Sequence, residues 1–127
     1  AYGEKYENIS SKNVEEAAKK ANIYDFIKKT EKGFLTTIGE KGIRISGGQR
    51  QRISIAKLFY LNKKIMILDE ATNALDESNE EKIYKSLKEN ISGKIIIVIC
   101  HNLKMYKYFD YIYQLENKKF ILKNKKN

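Results

Sequence analysis

The chain has 127 residues, of which 42% are hydrophobic, and it carries 25 Lys+Arg against 16 Asp+Glu, for a net charge of +9. This length is enough for one soluble domain that buries roughly two thirds of the surface its unfolded chain exposes. Cys100 is the only cysteine, which excludes a disulfide within the chain and favours a reducing compartment. The longest apolar run, residues 95–100, is far shorter than the ~20 residues that cross a bilayer. We therefore expect neither a membrane span nor a targeting segment in this sequence.

The excess of positive charge is spread over the whole chain. Lysine accounts for 22 of the 25 basic residues. The one small cluster lies at the end and consists of Lys118, Lys119, Lys123, Lys125 and Lys126. Proteins that bind nucleic acids usually concentrate basic residues on one face and mix in arginine or aromatic side chains. The sequence therefore predicts a lysine-rich solvated surface and no nucleic-acid partner.

The first part of the chain has a helical pattern. Ser11 or Asn13 can cap a helix whose apolar residues recur at helical spacing, namely Val14, Ala17, Ala18 and Ala21. A second short helix is predicted over residues 23–29, ended by Gly33. A connector with several glycines follows over residues 34–45. The next segment, 49–61, predicts an amphipathic helix with Ile53, Ala56 and Tyr60 on one face.

The pattern changes after Asn62. Residues 65–68 form a continuous apolar run, as expected of a strand buried on both faces of a parallel sheet. A helix is predicted over residues 79–91, with Ser78 and Glu81 in capping-box spacing and Ile83, Leu87 and Ile91 on one stripe. Gly93 then leads into a second buried strand, 95–99, and segments 111–115 and 120–122 predict a terminal hairpin. The expected fold is α/β, with a helical part over residues 1–62 and a parallel βαβ unit plus hairpin over residues 63–127.

Two glycines stand at the predicted start of the long helix, in the run Ser46-Gly47-Gly48-Gln49. Ser46 and Gln49 have the spacing of a capping box, which needs no ligand. Two glycines inside a helix cost about 1 kcal/mol each relative to alanine, so something else should require them. Bare backbone N–H groups at the positive end of a helix form an anion site that a phosphate can approach closely. Both interpretations remain open from these residues alone.

Polar side chains follow both predicted strands. Asp69 and Glu70 come at the end of the first strand, and His101, the only histidine, follows the second. Because the carboxyl ends of parallel strands meet at one edge of a sheet, we expect these three side chains to lie near one another. Carboxylates there can hold Mg²⁺ or accept a proton from water. Alternatively, the carboxylates begin a loop or cap a turn, and the histidine is an ordinary surface residue.

Taken together, the sequence resembles the second half of the nucleotide-binding domain of an ATP-binding cassette (ABC) transporter. Individually weak motifs occur in the family's order and spacing over nearly the whole chain. The matching segments are the signature motif at 45–49, Walker B with its following glutamate at 65–70, the D-loop at 73–76 and the switch histidine His101. Residues 21–27 and 36–42 resemble the segment and the connector that precede the signature in multidrug-resistance-type exporters.

The resemblance implies a role for each matched position. Ser46, Gly47 and Gly48, with Gln49 beside them, would contact the γ-phosphate of ATP held by a second nucleotide-binding domain in a head-to-tail dimer. Asp69 would position Mg²⁺ and Glu70 would be the general base. His101 would contact the γ-phosphate, and Asp76 would lie at the dimer seam. Residues 39–40 would lie near the surface that meets the transmembrane domains of the transporter, on the cytosolic face of a membrane.

Some positions depart from the family pattern. Ile45 stands where leucine is usual, Asn73 where serine is common, Asn102 where arginine often follows the histidine, and Lys57 where arginine is usual. None of these departures removes a phosphate, metal or base position.

The sequence contains no Gly-x-x-x-x-Gly-Lys-Ser/Thr loop, the element that holds the β- and γ-phosphates. It begins at residues that resemble the stretch just after the family's Q-loop glutamine. We therefore expect a fragment: the helical subdomain with the C-terminal part of the catalytic core. Such a fragment would bind ATP poorly, would not hydrolyse it, and would self-associate through strands that lack their sheet neighbours.

Two other classes of protein share part of this motif pattern. A cassette ATPase of chromosome-maintenance or DNA-repair type has similar motifs, and its DNA would suit the positive charge, but it inserts long coiled coils before the signature. A degenerate, non-catalytic cassette acting as a regulatory partner commonly lacks the glutamate or the histidine, and both are present here.

Overall fold

The computed structural model describes residues 9–39 and 42–125, so residues 1–8, Glu40 and Lys126 lie outside it. The first part is helical, with α1 at Ser11–Lys20, α2 at Tyr24–Lys29 and α3 at Gly47–Leu61. The cap predicted for α1 was wrong. Ser10, whose side chain accepts the backbone N–H of Asn13, caps this helix, because Ser11 and Asn13 already have helical geometry inside it.

The long helix α3 begins two residues earlier than predicted and buries two sides instead of one. The predicted face of Ile53, Ala56 and Tyr60 lines an apolar groove of about 250 Å³ against α1, α2 and the connector. The deepest residue is Ile55, which is only 2% exposed and packs into the main core. A helix with apolar contacts on two sides has no single hydrophobic stripe, so a one-face description of α3 was incomplete.

The second part contains the predicted strand–helix–strand unit. Strands β1 (Ile65–Asp69) and β2 (Ile95–Ile99) pair in parallel, with Ile65 opposite Ile95 and Asp69 opposite Ile99. They are joined through helix α4 (Glu77–Glu89). The carboxyl ends of both strands therefore lie at one edge of the sheet, which we call the rim.

The expectation that both faces of this sheet are buried was wrong for the described residues. Met66 and Leu68 are buried, and Leu68 shares the core with Ile83 and Leu87 of α4. The opposite face is open, since five isoleucines on it are 48–62% exposed: Ile65, Ile67, Ile95, Ile97 and Ile99. A continuous apolar run predicts two covered faces, and here α4 covers only one of them.

Helix α4 also differs from the prediction at both ends. Asp76 caps it by accepting the backbone N–H of Asn79, so the helix begins at Glu77 and the predicted capping box of Ser78 and Glu81 is not formed. The helix ends at Glu89, before Ile91. The predicted stripe is buried at Ile83 and Leu87, as expected.

The chain ends in an antiparallel hairpin of β3 (Tyr111–Glu116) and β4 (Lys119–Lys125), as predicted. Its turn is only two residues long, and Asn117 and Lys118 both have positive φ, of 48° and 62°. Two left-handed residues in a two-residue turn match the twist of the flanking strands. The predicted α/β class, with a parallel pair and a terminal hairpin, is therefore confirmed.

One hydrophobic core joins the two parts. It includes Ala21 from the end of α1, Ile55 from α3 and Leu68 from β1, together with Met105 from the short 3₁₀ helix Leu103–Tyr108. The division of the chain at residue 62 stays a prediction. None of the helices among the described residues combines the length and the apolar character required to cross a membrane.

Candidate functional site

The rim carries a contact between Glu70 and His101. Glu70 follows β1 directly and has a left-handed backbone with φ of 46°, and its N–H donates to the carbonyl of Ile99 at 3.0 Å. This conformation costs roughly 1–2 kcal/mol for a residue with a side chain, and such strain concentrates at functional sites. The Oε1 atom of Glu70 lies 2.8 Å from Nε2 of His101.

The pair is oriented and also accessible. Asn73 donates its side-chain N–H to the second oxygen of Glu70 at 2.7 Å, so both carboxylate oxygens of Glu70 are engaged. The side chains of His101 and Glu70 nevertheless remain 78% and 48% exposed. A carboxylate held in place and open to solvent can accept a proton from a water molecule, and the neighbouring imidazole can donate or accept a hydrogen bond.

Asp69 is the last residue of β1 and lies on the same rim. Its exposed carboxylate makes no hydrogen bond or ion pair with any residue in the described ranges. Within those ranges there is also no group of three or more His, Cys, Asp or Glu residues that could hold a metal. Mg²⁺ commonly uses only one or two carboxylates and completes its shell with water and phosphate oxygens. A single free carboxylate fits a magnesium ion shared with a phosphate.

The start of α3 is a capping box. The Oγ of Ser46 accepts the N–H of Gln49 at 3.1 Å, and the N–H of Ser46 donates to Oε1 of Gln49 at 2.8 Å. The backbone N–H groups of Gly47 and Gly48 donate to no acceptor in the described part of the chain. No acidic residue lies in the first turn. Free N–H groups at the positive end of a 15-residue helix can therefore bind an anion.

The two glycines of α3 differ in their surroundings. A Cβ atom on Gly48 would lie 2.9 Å from the carbonyl oxygen of Ala74, which is closer than real Cβ atoms approach a backbone atom. A Cβ on Gly47 would meet only the Cβ of Ala74, at an ordinary 3.5 Å. Packing against residue 74 therefore explains Gly48, whereas no packing contact requires a glycine at position 47.

Residues 73–76 connect the rim to the start of α3. Asn73 binds Glu70, and the N–H of Ala74 donates to Oε1 of Gln51 at 2.8 Å. Asp76 is engaged within its own helix, where the backbone N–H and the side chain of Asn79 hold the pKa of this carboxyl below its usual value. The structure therefore brings Glu70 and His101 into contact and places Asp76 in a separate capping interaction.

Sequence reasoning missed a second link between the two parts of the chain. Arg52 of α3 donates to the carbonyl of Asn22 at 2.7 Å, and the side chain of Asn22 donates to Asn79 at 2.6 Å. Asn22 has a left-handed φ of 51°, and asparagine just after a helical pattern is a recognisable helix-end signal. Nothing in the sequence pattern distinguishes Arg52 from an ordinary surface arginine.

Comparison with known proteins gives consistent matches. The family described as ABC transporter matches residues 2–73. The chain is 44% identical to an ATP-dependent lipid A-core flippase of Saccharophagus degradans over 121 residues, which is 95% of this chain and 20% of the flippase. It is 41% identical to ATP-binding cassette sub-family B member 10, mitochondrial, of Mus musculus, over 94% of this chain and 17% of that protein.

A match to a solved structure agrees with these sequence matches. The fold superposes on a bacterial Atm1-family ABC exporter with ATP bound, with a TM-score of 0.80 and 36% identity. The match covers 90% of this chain and 20% of the exporter chain. The chain thus spans a fifth or less of the length of these relatives. Because the family model matches more than half of its residues, the chain belongs to the ABC transporter family.

Proposed function

We propose that this chain forms part of the ATP-binding and ATP-hydrolysing domain of a membrane exporter. The observation that carries the proposal is the contact of Glu70 with His101, 2.8 Å apart at the carboxyl ends of two parallel strands. Ligands of open α/β sheets lie outside these strand ends. The free N–H groups at the start of α3 supply a second, complementary element for a phosphate.

Each residue of the rim has a distinct part in the proposed reaction. Glu70 accepts the proton of the attacking water, since its carboxylate is held by Asn73 and His101 and remains accessible. With ATP bound, His101 would give its ring N–H to the terminal phosphate instead of to Glu70, because a neutral imidazole carries only one N–H. Asp69 would hold Mg²⁺, which when bound neutralises negative charge on the phosphates.

In this proposal, the start of α3 contacts the ATP of the second domain and the rim acts on the ATP of its own domain. Ser46, Gly47 and Gly48 present donors to the γ-phosphate of ATP held by a second nucleotide-binding domain. Gln49 acts indirectly, because its side chain is used to fix the backbone N–H of Ser46. Asp76 lies at the seam between the two domains and caps α4 at the same time.

The chain would work as a part of a larger assembly. We place it on the cytosolic face of a membrane, beside transmembrane domains that select a substrate. This sequence has no phosphate-binding Gly-x-x-x-x-Gly-Lys loop, so by itself it should bind ATP weakly and show no turnover. Its open isoleucine face would favour self-association of the isolated chain, measurable by sedimentation as mass that rises with concentration.

Mutation of Glu70 tests the proposal in the full transporter. The variant Glu70→Gln keeps the shape of the side chain but removes its ability to take a proton, so ATP turnover should be lost while ATP binding is retained. Glu77→Gln is the matched control, because Glu77 is an exposed residue of α4 that pairs with Lys104. Turnover at the normal rate in the Glu70→Gln transporter would refute the assignment of the base.

A further inference from the structure

A buried carboxylate lies behind the rim, and the roles proposed above do not use it. Glu80, in the first turn of α4, is only 7% exposed. Its Oε1 accepts the hydroxyl of Thr72 at 2.8 Å, and its Oε2 accepts the side-chain N–H of Asn102 at 2.7 Å. A buried charged group is tolerated only when hydrogen bonds satisfy it, and here each oxygen has a donor.

The two partners of Glu80 belong to the two loops that form the rim. Thr72 is two residues after Glu70, and Asn102 is the residue after His101. Glu80 thus closes a ring of contacts in which Glu70 and His101 meet on the accessible side. The buried side of the ring fixes the separation of the two loops.

With Glu80 as a carboxylate, which can only accept, the donor inventory gives the hydrogen-bond directions in this ring. The Thr72 hydroxyl has one proton, which it gives to Glu80, so it receives its second bond from the hydroxyl of Tyr84 at 2.9 Å. Burial raises the pKa of Tyr84 to about 12, which keeps that donor protonated. The Oδ1 of Asn102 accepts the N–H of Lys104, so its amide group must point at Glu80.

We propose that Glu80 is a positioning residue for the Glu70–His101 pair, acting through Thr72 and Asn102. It makes no hydrogen bond to either of these two side chains. Its carboxylate ties the loop after β1 to the loop after β2, so that Oε1 of Glu70 and Nε2 of His101 stay in hydrogen-bond contact without a ligand. This deepens the proposed function and rests on it only for the chemical use of that pair.

The single histidine of the chain makes a direct test possible. The Nε2 nitrogen of His101 gives one signal in a ¹⁵N NMR spectrum of the 127-residue chain, recorded without nucleotide at one pH. The Glu70→Ala variant defines the signal of an unpaired ring. Asn102→Asp places a carboxylate against Glu80, and we expect it to move the signal most of the way toward the Glu70→Ala position.

Exchanging the carboxylate of Glu80 with the amide of Asn102 should restore the hydrogen bond between positions 80 and 102. In the double variant Glu80→Gln with Asn102→Asp, the new amide donates to the new carboxylate and the Gln carbonyl still accepts from Thr72. This variant should return the His101 signal to its wild-type position, which a residue that only fills space would not do. Glu77→Gln, on the same helix, is the control and should leave the signal unchanged.

Two results would overturn the proposal. One is a folded Asn102→Asp chain whose His101 signal stays at the wild-type position. The other, which applies even where the single variant does not fold, is a folded double variant whose signal lies at the Glu70→Ala position. Because the test needs no ATP, these results are independent of any failure of the proposed hydrolysis.

Discussion

The rim and the start of α3 differ in the groups that they present to a phosphate: side chains at the rim, and backbone N–H groups at the start of α3. At the rim, Glu70 and His101 already contact each other, and a buried layer with Glu80 lies behind them. At the start of α3, the N–H groups of Gly47 and Gly48 have no acceptor in the described ranges, and Ser46 and Gly47 are exposed. Acid–base groups must be oriented before they react, whereas backbone donors are fixed by the helix itself.

The contrast predicts different costs of mutation in the two regions. At the start of α3, variants of Ser46 should act on stability through the cap, and variants of Gly48 through packing against Ala74. Variants at the rim should act on chemistry and leave stability little changed, since exposed ion pairs contribute only about 0–1 kcal/mol. Three variants that probe stability follow, from the largest expected effect to the smallest.

The largest effect is expected from Gly48→Ala. The new Cβ would lie 2.9 Å from the carbonyl oxygen of Ala74, so residues 73–76 or α3 must shift. Overpacking of this kind costs typically 1–3 kcal/mol, and chemical denaturation of the chain should show a loss of that size. Gly47→Ala is the control and should be neutral or stabilising by up to about 1 kcal/mol. Equal losses at both positions would contradict the packing difference.

Ser46→Ala should have an intermediate effect. It removes the oxygen that accepts the N–H of Gln49, and losing such a cap typically costs about 1 kcal/mol. Ser54, which is exposed inside the same helix, supplies the control, since Ser54→Ala improves helix propensity and removes no cap. If thermal unfolding gave the same result for both variants, the capping box would not stabilise α3.

The smallest effect concerns Asp76 and appears only in acid. Hydrogen bonds from Asn79 lower the pKa of Asp76 below 3.8, so its contribution to stability is complete above that ordinary value. The contribution is lost as the pH falls through the lowered folded value. Asp76→Asn should therefore weaken the acid dependence of the melting temperature, while Asp110→Asn at an exposed position should not. An unchanged acid dependence in the Asp76 variant would refute this account.

Much of the fold followed from the sequence pattern. The runs at 65–68 and 95–99 lie in strands, and the hairpin is where its alternating segments placed it. Helix starts were less predictable. Ser10, Ser11 and Asn13 can all cap a helix, and only the backbone geometry selects Ser10.

The candidate site was also partly predictable from the sequence pattern. A rule about parallel strands placed Glu70 and His101 near one another without any structure. No comparable rule separates Glu80 from its acidic neighbours Glu77 and Glu81, because burial in the first turn of α4 depends on how the loops carrying Thr72 and Asn102 fold against it. Asn73 and Asn102 depart from the family pattern, and only the structure shows that they bind Glu70 and Glu80.

Beside the Glu70–His101 contact, the proposed function depends on Gly47, which we propose lacks a side chain so that a phosphate can approach, since no packing contact requires a glycine there. The most direct test is Gly47→Ala in the full transporter, with the melting temperature and ATP turnover measured on the same sample. We expect an unchanged or higher melting temperature and turnover reduced about tenfold or more, equivalent to at least about 1.4 kcal/mol of lost transition-state stabilisation. A stable Gly47→Ala transporter that hydrolyses ATP at the normal rate would contradict the claim.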